Sequence, residues 1–315
     1  MNPKRTSIII LGAGGVGGYF GARLVEHDAA DVTFLVREQR KAALERDGLT
    51  VLSPHGNIMN LAVDARTASE LSGAAPDFVI LTCKAYDLDA AMDAIGPVLG
   101  PSTAVVPLLN GLAHMPRINE RFGAANVLGG TVSLQLRQRS DGVIEHGNVW
   151  QFITIGEQQG GISARVEQLV AALAASKVTA RASDDIAQKL WEKIVMLATL
   201  AAMTTLMRAS VGAIASAPGG ATLSLRMLEL NAAAAAHAGH PVPEAQLGQW
   251  RTMFADTSST LTASMLADMQ LGKPVEADHI VGDMLNRVRT ASLDTTLHAA
   301  AYANLKAYEA TRGTT

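Results

Sequence analysis

The sequence predicts an α/β fold in which an N-terminal doubly wound parallel sheet is followed by an all-helical C-terminal domain. In the first half, short β-branched runs alternate with helical stretches, a β-α-β rhythm typical of a parallel sheet with helices on both faces. After Ser183 the pattern is almost wholly helical, with alanine-rich stretches separated by Gly and Pro. We therefore place a domain boundary there and predict domains at residues 1–183 and 184–315.

Apolar runs mark the strands of the N-terminal sheet. We predict strands at Ser7–Leu11, Val32–Val36, Phe78–Thr82 and Ala104–Leu108, with a helix over Val16–Glu26 after the first strand. Runs such as IIIL and FVIL are apolar at every position rather than at alternate ones. That pattern suits strands that are covered on both faces.

The remainder of the first domain changes character. Residues 127–155 contain strand-like segments around polar, glycine-containing turns, and we predict that they form an antiparallel extension of the sheet. A helix at Ser163–Ser176 and a strand at Val178–Ala182 close the domain. The acidic pair at 184–185 predicts the start of a long helix that runs to Met207.

Composition excludes several classes of protein. Net charge is −3 and there is no long basic run, which argues against nucleic-acid binding. The single cysteine, Cys83, excludes an intrachain disulfide, and the eight histidines show no metal-ligand spacing. We therefore expect no metal. The apolar run Ser7–Leu11 is too short for a signal peptide or a membrane span, so we expect a cytoplasmic protein. The Ala- and Met-rich C-terminal helices suit either a domain core or a homodimer face.

A glycine-rich turn joins the first strand to the first helix. Its residues are Gly12, Ala13, Gly14, Gly15, Val16 and Gly17. In G-x-G-x-x-G, the first glycine allows a tight turn, the second lets the backbone approach a pyrophosphate, and the third lets the helix pack on the strand. Amides at the helix start then face the phosphates. The strand before the motif and the helix after it predict a Rossmann-like, dinucleotide-binding domain.

The end of the second strand indicates which dinucleotide binds. An NAD enzyme places Asp or Glu there to hold the ribose hydroxyls, whereas this chain places Arg37, with Arg40 and Lys41 close behind. A guanidinium pairs with a 2′-phosphate that a carboxylate would repel. The pattern favours NADP(H), although Glu38 could contact a ribose and Arg37 could be a solvated surface residue.

Five segments beyond the glycine turn and Arg37 occur in an order and spacing that are specific together. They are Cys83-Lys84-Ala85-Tyr86, Leu109-Asn110-Gly111, Leu190-Trp191-Glu192-Lys193, Ser264-Met265-Leu266 and Val275-Glu276-Ala277-Asp278. With these pieces the sequence resembles the ketopantoate reductase (2-dehydropantoate 2-reductase) family across nearly its whole length. The resemblance implies NADPH-dependent reduction of 2-dehydropantoate to (R)-pantoate, a step of pantothenate biosynthesis.

The resemblance also implies roles for particular residues. Lys193 matches the catalytic lysine that protonates the carbonyl oxygen as hydride arrives, and Glu276 matches the acid that orients this lysine and the substrate. Asn110 matches a residue near the nicotinamide and the substrate hydroxyl. Ser264 matches a contact to the substrate carboxylate, and Lys84 a lysine beside the cofactor.

Three of these residues, Lys193, Asn110 and Glu276, also have a plainer interpretation. Most helical lysines are solvated, Asn110-Gly111 is a turn signal in any protein, and Glu276 could cap a helix that begins after Pro274. Lys193, however, lies between Trp191 and a strongly apolar segment at 194–197. A partly desolvated lysine has a lowered pKa and donates its proton more readily.

Two positions depart from the family pattern. Asparagines typical of the family, four and eight residues after the catalytic lysine, are replaced by Leu197 and Ala201. Spacing of four keeps these positions on one helix face with Lys193, so we assign both to the substrate-binding surface. A polar substrate group that faces them would lose its partner, at about 1–3 kcal/mol each. A smaller departure is Asp87, where the family usually has glutamine.

Three functions remain open from the sequence. The first is a ketopantoate reductase, and the second is a reductase of the same mechanism that acts on a less hydroxylated 2-oxo acid or ketone. The third is a dinucleotide-binding sensor that has lost catalysis. The first two predict NADPH oxidation that collapses in Lys193→Ala, whereas the third predicts tight NADPH binding without turnover.

Overall fold

The computed structural model describes residues 5–312. The chain divides into two compact units. One consists of residues up to 109 together with 114–187, and the other of residues 110–113 together with 188 onward. The short segment 110–113 thus clusters with the second unit although the chain around it belongs to the first.

The first unit is built on strands, numbered β1 to β12 in chain order. They are Ser7–Leu11, Asp31–Leu35, Leu49–Leu52, Ile58–Leu61, Asp64–Arg66, Phe78–Leu81, Ala104–Pro107, Leu128–Ser133, Leu136–Gln138, Ile144–His146, Phe152–Glu157 and Thr179–Ser183. Helices α1 to α5 belong to the same unit. They are Gly15–Glu26, Glu38–Asp47, Leu88–Ile95, His114–Phe122 and Ala164–Ala175.

The main sheet has five parallel strands in the order β5-β2-β1-β6-β7. The central strand β1 is covered on both faces, because Ile8 and Ile10 pack in one apolar cluster and Ile9 packs in another. Leu11 at the end of β1 pairs with Leu35 of β2 and with Leu81 of β6. The loops that follow these three strands therefore leave the sheet at the same edge.

The prediction for residues 127–155 is wrong in its connectivity. β8 and β11 do pair antiparallel, but they form a separate three-stranded sheet with β12. β9 and β10 pair with each other and join β3 and β4 in a four-stranded sheet. An isolated parallel bridge, Val105 to Val127, links the main sheet to the start of β8. The sequence pattern identified strand-like segments and turns here, but strand partners depend on tertiary packing.

The sequence pattern predicts none of the strands β3, β4 and β5. Each has only three or four residues. Pro54 and Gly56 also interrupt the segment between β3 and β4, and such short, interrupted runs carry too little periodicity to be recognised.

The rest of the chain is helical, as predicted. Helices α6 to α12 are Ile186–Met207, Val211–Ser216, Gly220–His237, Glu244–Ala255, Ser264–Gln270, Asp283–Thr290 and Thr296–Thr311. A π-helical turn at Asp278–Gly282 leads directly into α11. The predicted fold class, a doubly wound sheet followed by helices, is confirmed.

Helix α6, most of which belongs to the second unit, is largely buried. Among the described residues, α6 is the one helix that is long and apolar enough to cross a membrane. However, 67% of its apolar 18-residue stretch is buried within the protein. Such burial is typical of the core helix of a globular protein. A buried polar chain connects it to its neighbours: Thr199 accepts from Asn231 Nδ2 at 2.9 Å, and His298 Nε2 lies 2.7 Å from Asn231 Oδ1.

Candidate functional site

The glycine turn shows three different uses of glycine. Gly12 has φ of +95°, a left-handed conformation that glycine adopts without strain. A Cβ on Gly17 would lie 2.3 Å from the Gly12 carbonyl oxygen and 2.5 Å from Thr82 Oγ1, so only glycine lets α1 pack this closely on β1. A Cβ on Gly14 would instead meet its nearest neighbour, Gln138 Oε1, at an ordinary 3.7 Å. The protein does not crowd Gly14, and the space there suits a ligand.

The start of helix α1 suits an anion. The helix begins at Gly15, its first turn contains no acidic residue, and no side chain caps it. Val16 is half-buried in that first turn, and Ala13 before it is buried. A helix start carries unsatisfied backbone amides and the positive end of the helix dipole. The turn therefore fits the pyrophosphate of a dinucleotide.

Two predicted cofactor residues lie at the same sheet edge as this turn. Arg37 follows β2 and Lys84 follows β6, the two strands that flank β1. The Arg37 side chain is 85% exposed, and its Nη2 lies 3.8 Å from Asp87 Oδ1. Lys84 is half-buried and precedes the short helical turn Ala85–Asp87.

Two further side chains contact the turn, and sequence reasoning gave neither of them a role there. Arg40 Nη2 donates to the Ala13 carbonyl oxygen at 3.1 Å, and Gln138 Nε2 lies 3.3 Å from the same oxygen. Lys41, which the sequence grouped with Arg40, instead binds Glu70. Arg40 lies three residues after Arg37, and helical residues with this spacing are neighbours on the helix surface. That spacing was the signal that could have placed Arg40 near the cofactor site. No sequence signal marks Gln138.

In the second unit, Lys193 occupies an apolar part of α6. Its side chain is half-buried, and Trp191 and Ile194 beside it are buried. Burial lowers the pKa of Lys193 to about 8, and the negative charge of Glu276 partly opposes this shift. Glu276 itself is only 8% exposed. The structure therefore couples the charges of two predicted catalytic residues.

Aromatic and charged contacts hold the turn of α6 that precedes Lys193. The Arg287 guanidinium carbon lies 4.7 Å from the centre of the Trp191 ring, and His240 stacks on that ring at 5.6 Å. Arg287 is in turn bonded to Asp283 at 2.7 Å. Contacts of this kind reduce the freedom of the helix backbone from which Lys193 extends.

Asn110 lies in the segment that clusters with the second unit. Next to it, Gly111 has φ of +91°, and a Cβ there would lie 2.9 Å from His279 Cδ2 and 3.1 Å from the His279 carbonyl oxygen. His279 belongs to the π-helical turn that begins two residues after Glu276. Asn110, Lys193 and Glu276 thus share one compact unit although they are far apart in sequence.

The predicted substrate residues differ in exposure. Leu197 is half-buried, whereas Ala201 one turn later is only 1% exposed. Ser264 is exposed at the first position of α10. Leu197 therefore remains accessible on the helix face of Lys193, while Ala201 is enclosed by the protein. Among residues 5–312, no group of three or more His, Cys, Asp or Glu side chains is placed to hold a metal ion.

Comparison with known proteins identifies the family. A family model described as "Ketopantoate reductase PanE/ApbA" matches residues 8–160, and the model of the C-terminal part of that family matches residues 185–309. The chain belongs to the ketopantoate reductase family. The predicted family is thereby confirmed, and the chain is an oxidoreductase of this family.

Individual relatives match over almost the full length. An uncharacterized oxidoreductase, YkpB of Bacillus subtilis, is 31% identical over 96% of this chain and 98% of its own. The crystal structure of a putative ketopantoate reductase from Ralstonia solanacearum is 27% identical, with a TM-score of 0.86 over 98% of this chain and 99% of that one. D-mandelate dehydrogenase with NADH and anilino(oxo)acetate has a TM-score of 0.86 over 97% and 99% of the two chains, at 19% identity, and so shares the fold.

Proposed function

We propose that this ketopantoate reductase family member reduces the carbonyl of a 2-oxo acid with NADPH, and that 2-dehydropantoate is its substrate. The observation that carries the proposal is Lys193, a half-buried lysine whose pKa is lowered to about 8 beside the charge of buried Glu276. Strongly shifted pKa values in half-buried lysines are typical of functional sites.

The proton needed by the reaction comes from Lys193. When bound, the reduced nicotinamide supplies a hydride to the carbonyl carbon, which leaves negative charge on the carbonyl oxygen. The Lys193 ammonium donates its proton to that oxygen. A donor works best when its pKa lies near the working pH, and a lysine with a pKa of about 8 is mostly protonated at neutral pH and yet gives up its proton readily.

Other side chains hold the lysine and the substrate. The Glu276 carboxylate raises the pKa of Lys193 relative to burial alone and so keeps the lysine protonated. The Asn110 amide contacts the substrate hydroxyl, in the role that the family implies, from a backbone that Gly111 holds against His279. The exposed Ser264 hydroxyl binds the substrate carboxylate.

The glycine turn and its edge bind the dinucleotide. The amides at the start of α1 hold the pyrophosphate, while Lys84 lies beside it. Arg37, exposed at the end of β2, pairs with the 2′-phosphate. This arrangement supports a preference for NADPH over NADH.

One observation supports a second candidate substrate. Leu197 presents an apolar surface one turn from Lys193, where the family typically has an asparagine. Such a surface favours a 2-oxo acid without the hydroxyl of 2-dehydropantoate, because a buried hydroxyl without a partner costs about 1–3 kcal/mol.

A matched pair of substrates tests the proposal. NADPH oxidation is followed with 2-dehydropantoate and with trimethylpyruvate, which lacks only the hydroxyl group. A higher kcat/KM for 2-dehydropantoate supports the first substrate, and the reverse order supports the second. In the latter case Leu197→Asn should shift the ratio toward the hydroxylated acid by about tenfold, equivalent to about 1.4 kcal/mol. Tight NADPH binding without oxidation by any 2-oxo acid in a broad panel would refute catalysis and favour the sensor.

A further inference from the structure

We propose that Arg40 and Gln138 are positioning residues that hold the Ala13 peptide and thereby aim the glycine turn at the cofactor pyrophosphate. The inference rests on the proposed dinucleotide binding. It assigns a function to two side chains that come from different elements, α2 and β9, and meet at one carbonyl oxygen.

Ala13 is the residue that both side chains contact. Its carbonyl oxygen accepts from Arg40 Nη2 at 3.1 Å and lies 3.3 Å from Gln138 Nε2. In a planar trans peptide the carbonyl and the following N–H point in opposite directions. Holding the Ala13 carbonyl toward these side chains therefore fixes the direction of the Gly14 N–H, which points away from Arg40 and Gln138.

Arg40 is held firmly in this position. It is half-buried, and its Nη2 also lies 3.4 Å from the Gly142 carbonyl oxygen in the turn between β9 and β10. A Cβ on Gly142, where φ is +87°, would approach Arg40 Nη1 to 2.6 Å. The absence of a side chain at Gly142 thus leaves room for the Arg40 guanidinium. Arginine keeps its charge in proteins, so the side chain also brings a fixed positive charge to the turn.

Stability alone does not account for an arginine here. Burial lowers the pKa of Arg40 from its usual value, which shows that the charged form is desolvated. Its Nε is buried with no hydrogen-bond partner in the described part of the chain. Desolvating a charged group without satisfying all of its donors is unfavourable to folding. An anionic ligand close to the guanidinium would offset that loss.

Gln138 belongs to a wall beside the turn. Leu136, two residues earlier on β9, would contact a Cβ on Gly15 at 3.3 Å, and Gln138 Oε1 would contact one on Gly14 at 3.7 Å. Residues two apart on a strand share a face. One face of β9 therefore lies along the start of α1, and its amide side chain reaches back to Ala13.

Direct binding measurements test the inference independently of turnover. The dissociation constant of NADPH is measured by fluorescence titration for the wild type, Gln138→Leu, Arg40→Lys and Arg40→Met. The control is Arg139→Met, which removes an arginine of the same hairpin that pairs with Asp141 and Glu145. A second ligand, 2′-AMP, carries the 2′-phosphate but no pyrophosphate.

We expect the NADPH dissociation constant to rise about tenfold in Gln138→Leu and more in Arg40→Met, with Arg40→Lys between Arg40→Met and the wild type. All of the variants should bind 2′-AMP with a dissociation constant within twofold of the wild-type value. The Arg139→Met control should bind NADPH with a dissociation constant within twofold of the wild-type value. A merely structural role would weaken both ligands alike and so would overturn the inference. Unchanged NADPH binding in Gln138→Leu, a variant away from the buried charge, would also overturn it.

The outcome is separable from that of the proposed function. If the wild type binds NADPH and the variants weaken it, the inference stands even if no 2-oxo acid is reduced. If the wild type reduces 2-oxo acids and the variants bind NADPH normally, only the inference fails. Absence of NADPH binding by the wild type would refute both.

Discussion

The glycine turn and the Lys193 region are specified in different ways. The turn is specified by six consecutive residues, and backbone geometry at Gly12 and Gly17 determines its conformation. The Lys193 region is assembled from segments near residues 110, 193 and 276, which come together only when the second unit packs. A local site tolerates changes elsewhere in the chain, whereas an assembled site depends on every contact that holds its parts together.

The largest effect is expected at Lys193, where the assembled region carries the proposed chemistry. Lys193→Ala should lower kcat by about 10²–10⁴-fold, the usual contribution of a positioned proton donor. NADPH binding at the glycine turn should be unchanged. Steady-state kinetics and fluorescence titration measure the two quantities.

Lys189 is a matched control for that experiment. It lies one turn earlier on α6, is 49% exposed and pairs with Glu192 at 2.8 Å. Lys189→Ala should keep kcat within about twofold, because the median surface ion pair is worth only about 0–1 kcal/mol. Equal losses in the two variants would show that Lys193 acts through helix stability rather than proton transfer.

The second unit, which contains the Lys193 region, should lose stability as the pH falls. Burial lowers the pKa of His298 to about 4, against the opposing charge of Asp294. The unfolded chain therefore binds this proton more tightly. The stability that a neutral His298 provides is present above about pH 6.5 and is lost as the pH falls from there toward 4. A shift of this size in the pKa of His298 amounts to a loss of about 3 kcal/mol.

Urea unfolding of the wild type and of His298→Gln, measured from pH 7 to pH 4.5, separates the contribution of His298 from that of the carboxylates that titrate in the same range. The variant should lose less stability over that range. Hydrogen exchange should show more frequent opening of α8 and α12 at pH 4.5 than at pH 7, because the bond between His298 and Asn231 joins these two helices. Parallel pH curves for the two proteins would refute the assignment.

A pair of glycine variants separates folding from binding within the local site. Gly17→Ala forces a Cβ to within 2.3 Å of a backbone oxygen, and overpacking of this kind costs about 1–3 kcal/mol. The thermal midpoint should therefore fall. Gly14→Ala meets no close neighbour and should leave the midpoint nearly unchanged while weakening NADPH binding. If Gly14→Ala bound NADPH normally, close approach of the pyrophosphate at Gly14 would be excluded.

Glu276→Gln tests the coupling of charges inside the assembled region. The carboxylate raises the pKa of Lys193, so its removal should lower that pKa below about 8. The proton donor must be protonated, and the high-pH limb of kcat/KM for reduction should shift to lower pH. A limb that stays in place would show that another group controls the alkaline loss of activity.

The smallest effect is expected at Asp87, beside the local site. Its carboxylate lies 3.8 Å from the Arg37 guanidinium and would repel a 2′-phosphate that binds there. Asp87→Asn should therefore improve NADPH binding relative to NADH by a few-fold, since about 1 kcal/mol is typical of exposed charges at such distances. Asp89→Asn, which removes an exposed carboxylate that pairs with Arg117, should leave the ratio unchanged.

Sequence reasoning succeeded where structure is local. The strands around Ile8–Ile10, the glycine turn and helix α6 follow from periodicity and turn chemistry over a few residues. It failed at the sheet that contains β9 and β10, because β10 pairs with β3, a strand of only four residues at Leu49–Leu52. It also could not place Gln138 against Ala13, because that contact depends on how a hairpin lies across a helix start.

The π-helical turn at Asp278–Gly282 lies between Glu276 and helix α11. A π turn holds one residue more than an α turn, so deleting a single residue there would restore ordinary winding and leave the orientation of Glu276 relative to α11 nearly unchanged. Deleting a residue from the regular winding of α11 would instead rotate Glu276 by about 100° relative to the residues that follow the deletion. The π turn is therefore the place in this helix where the chain can lose a residue while Glu276 keeps its orientation.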